Sequence, residues 1–210
     1  MSLVSEDADP RLRTRPYPGQ NGRMDLGLRD RVYLVTGGSR GLGFAAAQAL
    51  VADGARVMLS APHEATASSA AARLAQDAAA DAAAWIVADN ADPATPGQLI
   101  AAARDRFGRL DGALISVGGS PPGTVAATTD EAWRSAFESV FLGAVRLARV
   151  LAADLGGTGD GGAVGGSLTG AGGSIVFVLA SSVRVPLAEL AIANGLCPGL
   201  PGWSRRWPAN

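Results

Sequence analysis

Two spacings of apolar residues take turns along this chain. Short β-branched and aromatic runs, at residues 31–35, 56–60, 84–88, 110–117 and 174–179, have the length and composition of buried strands. Between them the apolar positions open out to helical spacing. An alanine-rich segment over 44–52 stops at Gly54, and a second covers 64–80. Leu99, Ile100, Ala103 and Phe107 mark one face of a third helix, for which both Asp92-Pro93 and Thr95-Pro96 fit a start. Further on, Thr128-x-x-Glu131 has the form of a capping box. Behind it Trp133, Phe137, Val140, Phe141, Ala144, Leu147, Ala148 and Leu151 draw one continuous apolar stripe. Strand and helix in alternation predict a single α/β domain.

Three stretches break this rhythm. Residues 1–27 are polar and rich in proline and glycine, and are expected to form a disordered leader. Ten of the eighteen residues at 156–173 are glycine, the composition of a flexible insertion. Three prolines and two glycines exclude a long helix after Cys197, so residues 197–210 are expected to be an irregular tail. The domain proper is then 28–196.

Composition narrows the function. The chain has 210 residues, 48% of them hydrophobic, and a formal charge of −1, enough apolar matter for one core. Without basic clusters, neither nucleic acid nor an anionic membrane is an expected partner. No apolar run approaches the ~20 residues that span a bilayer. The single cysteine, Cys197, excludes an internal disulfide framework and suits a reducing compartment, with the cytoplasm as the default. All eighteen basic residues are arginine, and the only tyrosines are Tyr17 and Tyr33. No metal is expected.

The candidate chemistry begins where the first strand meets a loop of four glycines, Thr36-Gly37-Gly38-Ser39-Arg40-Gly41-Leu42-Gly43, which leads directly into a helix. Glycine allows a sharp turn and close approach of a diphosphate, and the helix N-terminus offers free N–H groups and partial positive charge. Gly37-x-Ser39-x-Gly41 also fits a hydrolase nucleophile elbow, but that chemistry needs a late histidine and the only one is His63. The loop Thr36-Gly37-x-x-x-Gly41-x-Gly43 resembles the cofactor loop of the short-chain dehydrogenase/reductase family, and its wording is similar to that of the β-ketoacyl-ACP reductase branch. The resemblance covers about residues 26–196. It implies a Rossmann-like, doubly wound parallel sheet of order 3-2-1-4-5 with helices on both faces, C-terminally incomplete.

The same resemblance implies cofactor contacts from Gly37, Ser39, Arg40, Gly41, Leu42 and Gly43, from Asp89 and Asn90 after the third strand, and from Gly118 after the fourth. The second strand ends in Ala61-Pro62-His63 without the carboxylate that favours NAD, while Arg40 stands where a basic residue pairs with a 2′-phosphate. NADP is therefore the expected cofactor, with NAD the alternative. His63 reads as a surface residue near the adenosine edge.

Against the family pattern, several active-site positions are altered. Ser116-Val117-Gly118-Gly119 replaces Asn-Asn-Ala-Gly, Val140 takes the place of the helix asparagine, and Leu190 and Asn194 stand for Tyr-x-x-x-Lys. Ser181 and Ser182 remain as catalytic candidates, with Arg184 nearby and Cys197 without an evident partner. The expectation is an oxidoreductase passing hydride between NADP(H) and a small carbonyl or alcohol substrate, similar to a 3-oxoacyl reductase but impaired. The alternative is a dinucleotide-binding protein without turnover, a truncated pseudoenzyme. Family members associate through the long helices, so a homo-oligomer is also implied.

Overall fold

The computed structural model describes residues 26–76, 78–156 and 173–204. Residues 1–25 of the expected leader, 157–172 of the glycine-rich stretch and 205–210 of the tail lie outside the described residues.

Five parallel strands, β1 Val32–Thr36, β2 Arg56–Ala61, β3 Ala83–Val87, β4 Gly112–Ser116 and β5 Ser174–Val178, form one sheet in the order β3-β2-β1-β4-β5. The expected strand order is thus the observed one. Val35 stands opposite Leu59 of β2 on one side and Leu114 of β4 on the other. Val32, Leu34, Val35, Val57 and Leu59 are wholly buried, which is why these strands read as near-continuous apolar runs rather than alternating ones.

Successive side chains of a strand point to opposite faces, and each face has its own cover. On one, Val32, Leu34 and Ile115 pack with Leu99 and Ala103 of α3 (Thr95–Phe107) and Leu147 and Leu151 of α5 (Gly143–Gly156). On the other, Val35, Val57 and Leu59 pack with Phe44 and Ala47 of α1 (Gly41–Ala52) and Leu74 of α2 (Glu64–Gln76). The alanines make this close layering feasible.

The structure corrects several boundaries. α1 begins at Gly41, inside the glycine loop, not at residue 44, and α2 ends at Gln76 rather than at residue 80. Of the two proline-marked starts only Thr95 opens a helix, because the Asp92 carboxylate accepts from Ala94 N (2.8 Å) and makes a turn. The capping residue of α4 (Asp130–Ala136) is Thr129, which accepts from Ala132 N at 3.3 Å; Thr128 instead donates to Thr124 O. The long stripe-bearing helix is interrupted by a π-helical stretch, Phe137–Leu142, between α4 and α5. Finally, the expected irregular tail contains a short helix, α7 Gly199–Ser204, which follows α6 (Ala191–Leu196) and buries Leu200 in the α3/α5 core.

Candidate functional site

In an open parallel sheet, the strand order reverses where connections leave β1 and β4 in opposite directions, and ligands settle outside the carboxyl ends there. Here that point is held by Thr36. Its hydroxyl is wholly buried and donates to Ser116 O (3.1 Å), while Ser116 N donates to Thr36 Oγ1 (3.0 Å). Gly37 follows with φ +59°, and a Cβ on it would lie 2.7 Å from Ser116 O, so only glycine fits. Gly38 N donates to Ser60 O (3.2 Å), tying the loop to the end of β2 as well.

The turn then lifts the N-terminus of α1 above the strand ends. Gly43 packs on the loop itself, where a Cβ would meet Gly37 O at 2.5 Å, whereas Gly41 (φ +57°) faces open space. The preceding Arg40 is extended and makes no side-chain cap, and no acidic residue occupies the first turn. The first N–H groups of this twelve-residue helix are therefore left to an external acceptor, beside a wall that admits close approach. The donor set fits a diphosphate. Ser39, Arg40 and Leu42 lie on this rim, with Leu42 70% exposed.

After β3, Asp89 caps its own turn by accepting from Ala91 N (2.9 Å), and its carbonyl accepts from Thr95 Oγ1 (2.5 Å). The loop is fixed from the other side by α5: Arg146 donates to Ala91 O (3.0 Å), and a Cβ on Gly143 would meet Asn90 O at 2.3 Å. Asp89 is thus fixed by its own carboxylate as well as its carbonyl, and Asn90 by the close approach of Gly143. His63 is exposed just after β2.

A cavity of about 100 Å³ opens at the carboxyl ends of β4 and β5. Val117, Gly118 and Ser120 line it from the β4 side, Val140 from the π-helical stretch, and Ala193 and Cys197 from α6 and just beyond. Its two flanks are joined by Gly123 N donating to Glu189 O (2.6 Å) and Ala191 N to Gly123 O (3.1 Å). Glu189 adopts φ +56° to do so. Of the residues picked out by sequence, Gly118 lines this cavity and Ser181 and Ser182 do not; Ala180 stands there instead. Ser181 is exposed at the start of a 3₁₀ turn, while Ser182 is buried and its Oγ has no hydrogen-bond partner among the described residues. Burial pushes the Cys197 thiol up, and the neighbouring Ser182 hydroxyl pulls it partly back. Cys197, which had no evident partner in the sequence, thus belongs to the cavity wall.

Other positions have structural duties. Asn194 accepts from Leu187 N (3.0 Å) and donates to Leu187 O (2.7 Å), pinning the segment before α6. Tyr33 lies in β1 near Arg31 and Asp111, at the amino end of the sheet, its pKa raised by burial. Ser120 escaped sequence reasoning. Its Oγ is buried and has no hydrogen-bond partner among the described residues, in a glycine- and proline-rich loop where a serine reads as a turn residue.

Comparison with known proteins gives a consistent result. A family model described as short chain dehydrogenase matches residues 31–192. An uncharacterized oxidoreductase of Mycobacterium tuberculosis is 30% identical over 181 residues, covering 86% of this chain and 61% of that protein. A protein named as the ketoacyl reductase of the monensin polyketide synthase of Streptomyces virginiae is 34% identical over 121 residues, 58% of this chain and 46% of its own. Among solved structures, L-sorbose reductase from Gluconobacter frateurii, in complex with NADPH and L-sorbose, superposes with a TM-score of 0.71 at 25% identity. It covers 86% of this chain and 64% of its own. The chain therefore spans about three fifths of the length of the mycobacterial oxidoreductase and of the sorbose reductase.

Proposed function

The chain belongs to the short-chain dehydrogenase/reductase family, and from that membership we propose that it binds NADPH and reduces a small carbonyl compound slowly. The observation that carries this reading is the glycine loop, with its uncapped α1 N-terminus set over the β1/β4 reversal point. The N–H groups of the first turn of α1 receive the diphosphate, and Gly41 leaves the space for it. Arg40 pairs with the 2′-phosphate, which distinguishes NADPH from NADH. Ser39, Leu42 and Gly43 complete the rim, Asp89 and Asn90 border the adenine, and Gly118 admits the nicotinamide. That the sorbose reductase is solved with NADPH supports the same choice of cofactor.

Bound there, the cofactor supplies the hydride. The chain's task is to hold the acceptor carbonyl and exclude water. Ser181 and Ser182 are the proposed polarising hydroxyls, and Ser182 reaches a carbonyl only if the 3₁₀ turn opens toward the cavity. No carboxylate, imidazole, tyrosine or lysine lines the cavity, so the proton that completes the alcohol comes from water. The missing general acid lowers the rate by about 10²–10⁴-fold.

A second reading, dinucleotide binding without turnover, draws on one observation. Asn194, at the position of the family lysine, spends its amide on Leu187. Titration of NADPH fluorescence, followed by NADPH absorbance in the presence of ketones, tests both. Saturable binding with slow ketone-dependent oxidation supports reduction, and binding with none supports the second reading. Absence of binding overturns both.

A further inference from the structure

We infer that Arg146 of α5 is a positioning residue for the adenosine half of the cofactor, holding the loop Asp89–Ala91 where the adenine needs it. This rests on the NADPH-binding reading of the site and adds to it a residue that touches no cofactor atom itself.

The strand order sets the problem. β3 lies two strands from β1, about 10 Å at the usual spacing. An adenine bordered by Asp89 and Asn90 therefore meets a diphosphate on the glycine loop only if the two loops keep that separation. The loop's own bonds shape it without placing it. Asp89 accepts from Ala91 N (2.9 Å) through its carboxylate, and from Asp92 N (3.1 Å) and Thr95 Oγ1 (2.5 Å) through its carbonyl. The ladder to β2 ends behind it, at Ala88 N to Ala61 O (3.1 Å). Among the described residues, the hydrogen bond that reaches residues 89–92 from across the molecule is Arg146 Nη1 to Ala91 O (3.0 Å), over 55 positions of sequence.

α5 meets this loop at two successive peptides. Residues three apart share a helix face, and Gly143 comes so close that a Cβ on it would lie 2.3 Å from Asn90 O. Gly143 gives the loop a floor, and Arg146 draws the next carbonyl onto it. The arginine is itself aimed, because Nη1 also donates to Glu138 Oε2 (3.0 Å) and the side chain is only 23% exposed. In an unbroken α-helix, residues eight apart stand about 80° apart around the axis. The π-helical stretch, which includes Glu138, takes one residue more per turn. The pair then faces as residues seven apart would, within about 20°. An exposed ion pair alone contributes little; this one directs a third contact.

The test sets Arg146→Met, which keeps the apolar stem, against Arg146→Lys in the full chain. One nitrogen makes both contacts, so a lysine ammonium can restore them. Fluorescence titration measures NADPH, and competition against it measures adenosine 2′,5′-bisphosphate and inorganic pyrophosphate. The bisphosphate reads the adenosine side, and pyrophosphate reads the glycine loop alone. Arg146→Met should weaken NADPH and the bisphosphate roughly three- to tenfold, the range of one hydrogen bond, and leave pyrophosphate unchanged. Arg146→Lys should recover most of that loss. In the cofactor-free chain, hydrogen exchange of the Ala91 and Asp92 amides should quicken in Arg146→Met and not in Arg146→Lys. Glu138→Ala removes the group that aims the guanidinium; it should show the same selective loss in smaller measure, and serves where Arg146→Met does not fold. Wild-type affinities or unaltered exchange in the folded variants would overturn the role. So would an equal loss for all three ligands, the mark of a generally loosened fold. If the wild-type chain does not bind NADPH, the cofactor reading falls and this inference with it.

Discussion

Arg40 precedes α1 in an extended conformation (φ −159°, ψ 173°), with no side-chain bond to the helix it introduces. That freedom is what a residue needs to reach a phosphate beyond the glycine rim. Arg40→Ala should weaken NADPH by about 1–3 kcal/mol, the loss of one charge-assisted contact, and leave NADH nearly unchanged. Calorimetry with both cofactors decides it, and an equal loss for the two would remove Arg40 from the 2′-phosphate. Arg40 was legible in the sequence because its role depends on local spacing, one residue before a glycine that must turn. Ser120, Asn194 and Cys197 were not. Each owes its part to a tertiary closure: the Gly123–Leu190 bridge, the Leu187 pin and the meeting of α6 and the chain just beyond it with the end of β5 around one cavity. A composition of glycine, proline and alanine around them leaves no periodic trace of such contacts.

At the level of elements, strands were easier to read than helix ends. A strand buried on both faces announces itself by composition, whereas a helix start depends on which of several oxygens wins a given N–H. Thr129 takes Ala132 N although Thr128 heads the better sequence motif, and Asp92 spends its carboxylate on a turn. The π-helical stretch has no periodic signature either, since Phe137 and Phe141 stack at 5.5 Å as they would in an α-helix. One inter-element tie carries a pH dependence. Asp111, just before β4, accepts from Val32 N (2.9 Å) at the start of β1 and from Arg109 Nε (2.8 Å), with Arg31 beside it. Burial alone would push its carboxyl up, but the Arg109 and Val32 bonds with the two guanidinium charges outweigh that and hold it below the usual 3.8. A carboxyl lowered in the folded state stabilises the fold above its unfolded pKa and loses that contribution as the pH falls through the folded value. Asp111→Asn should therefore cost about 1–3 kcal/mol at neutral pH in urea denaturation. The gap from wild type should narrow on acidification below 3.8, and a gap independent of pH would refute the assignment.

Across the whole molecule the two ends of the sheet divide the labour. The amino ends are locked by Asp111 and the arginines, and the carboxyl ends stay open as glycine loop and cavity. The lateral edges are less settled. Among the described residues β5 pairs only with β4, and Val176 in its middle is 53% exposed. A strand paired on one side among the described residues, with an exposed valine in its middle, is a template for another strand. The purified chain is therefore expected to associate with rising concentration through β5, and Val176→Lys should suppress this by placing a charge on the edge. Because Val176 is half in solvent, the substitution should change stability by less than about 1 kcal/mol. Sedimentation velocity over a concentration series, paired with thermal unfolding, separates the two effects. A smaller assembly at unchanged Tm assigns the edge. Equal assembly by both proteins would place the contact elsewhere, and the other partly exposed apolar surface, such as Val150 of α5, would be the next to probe.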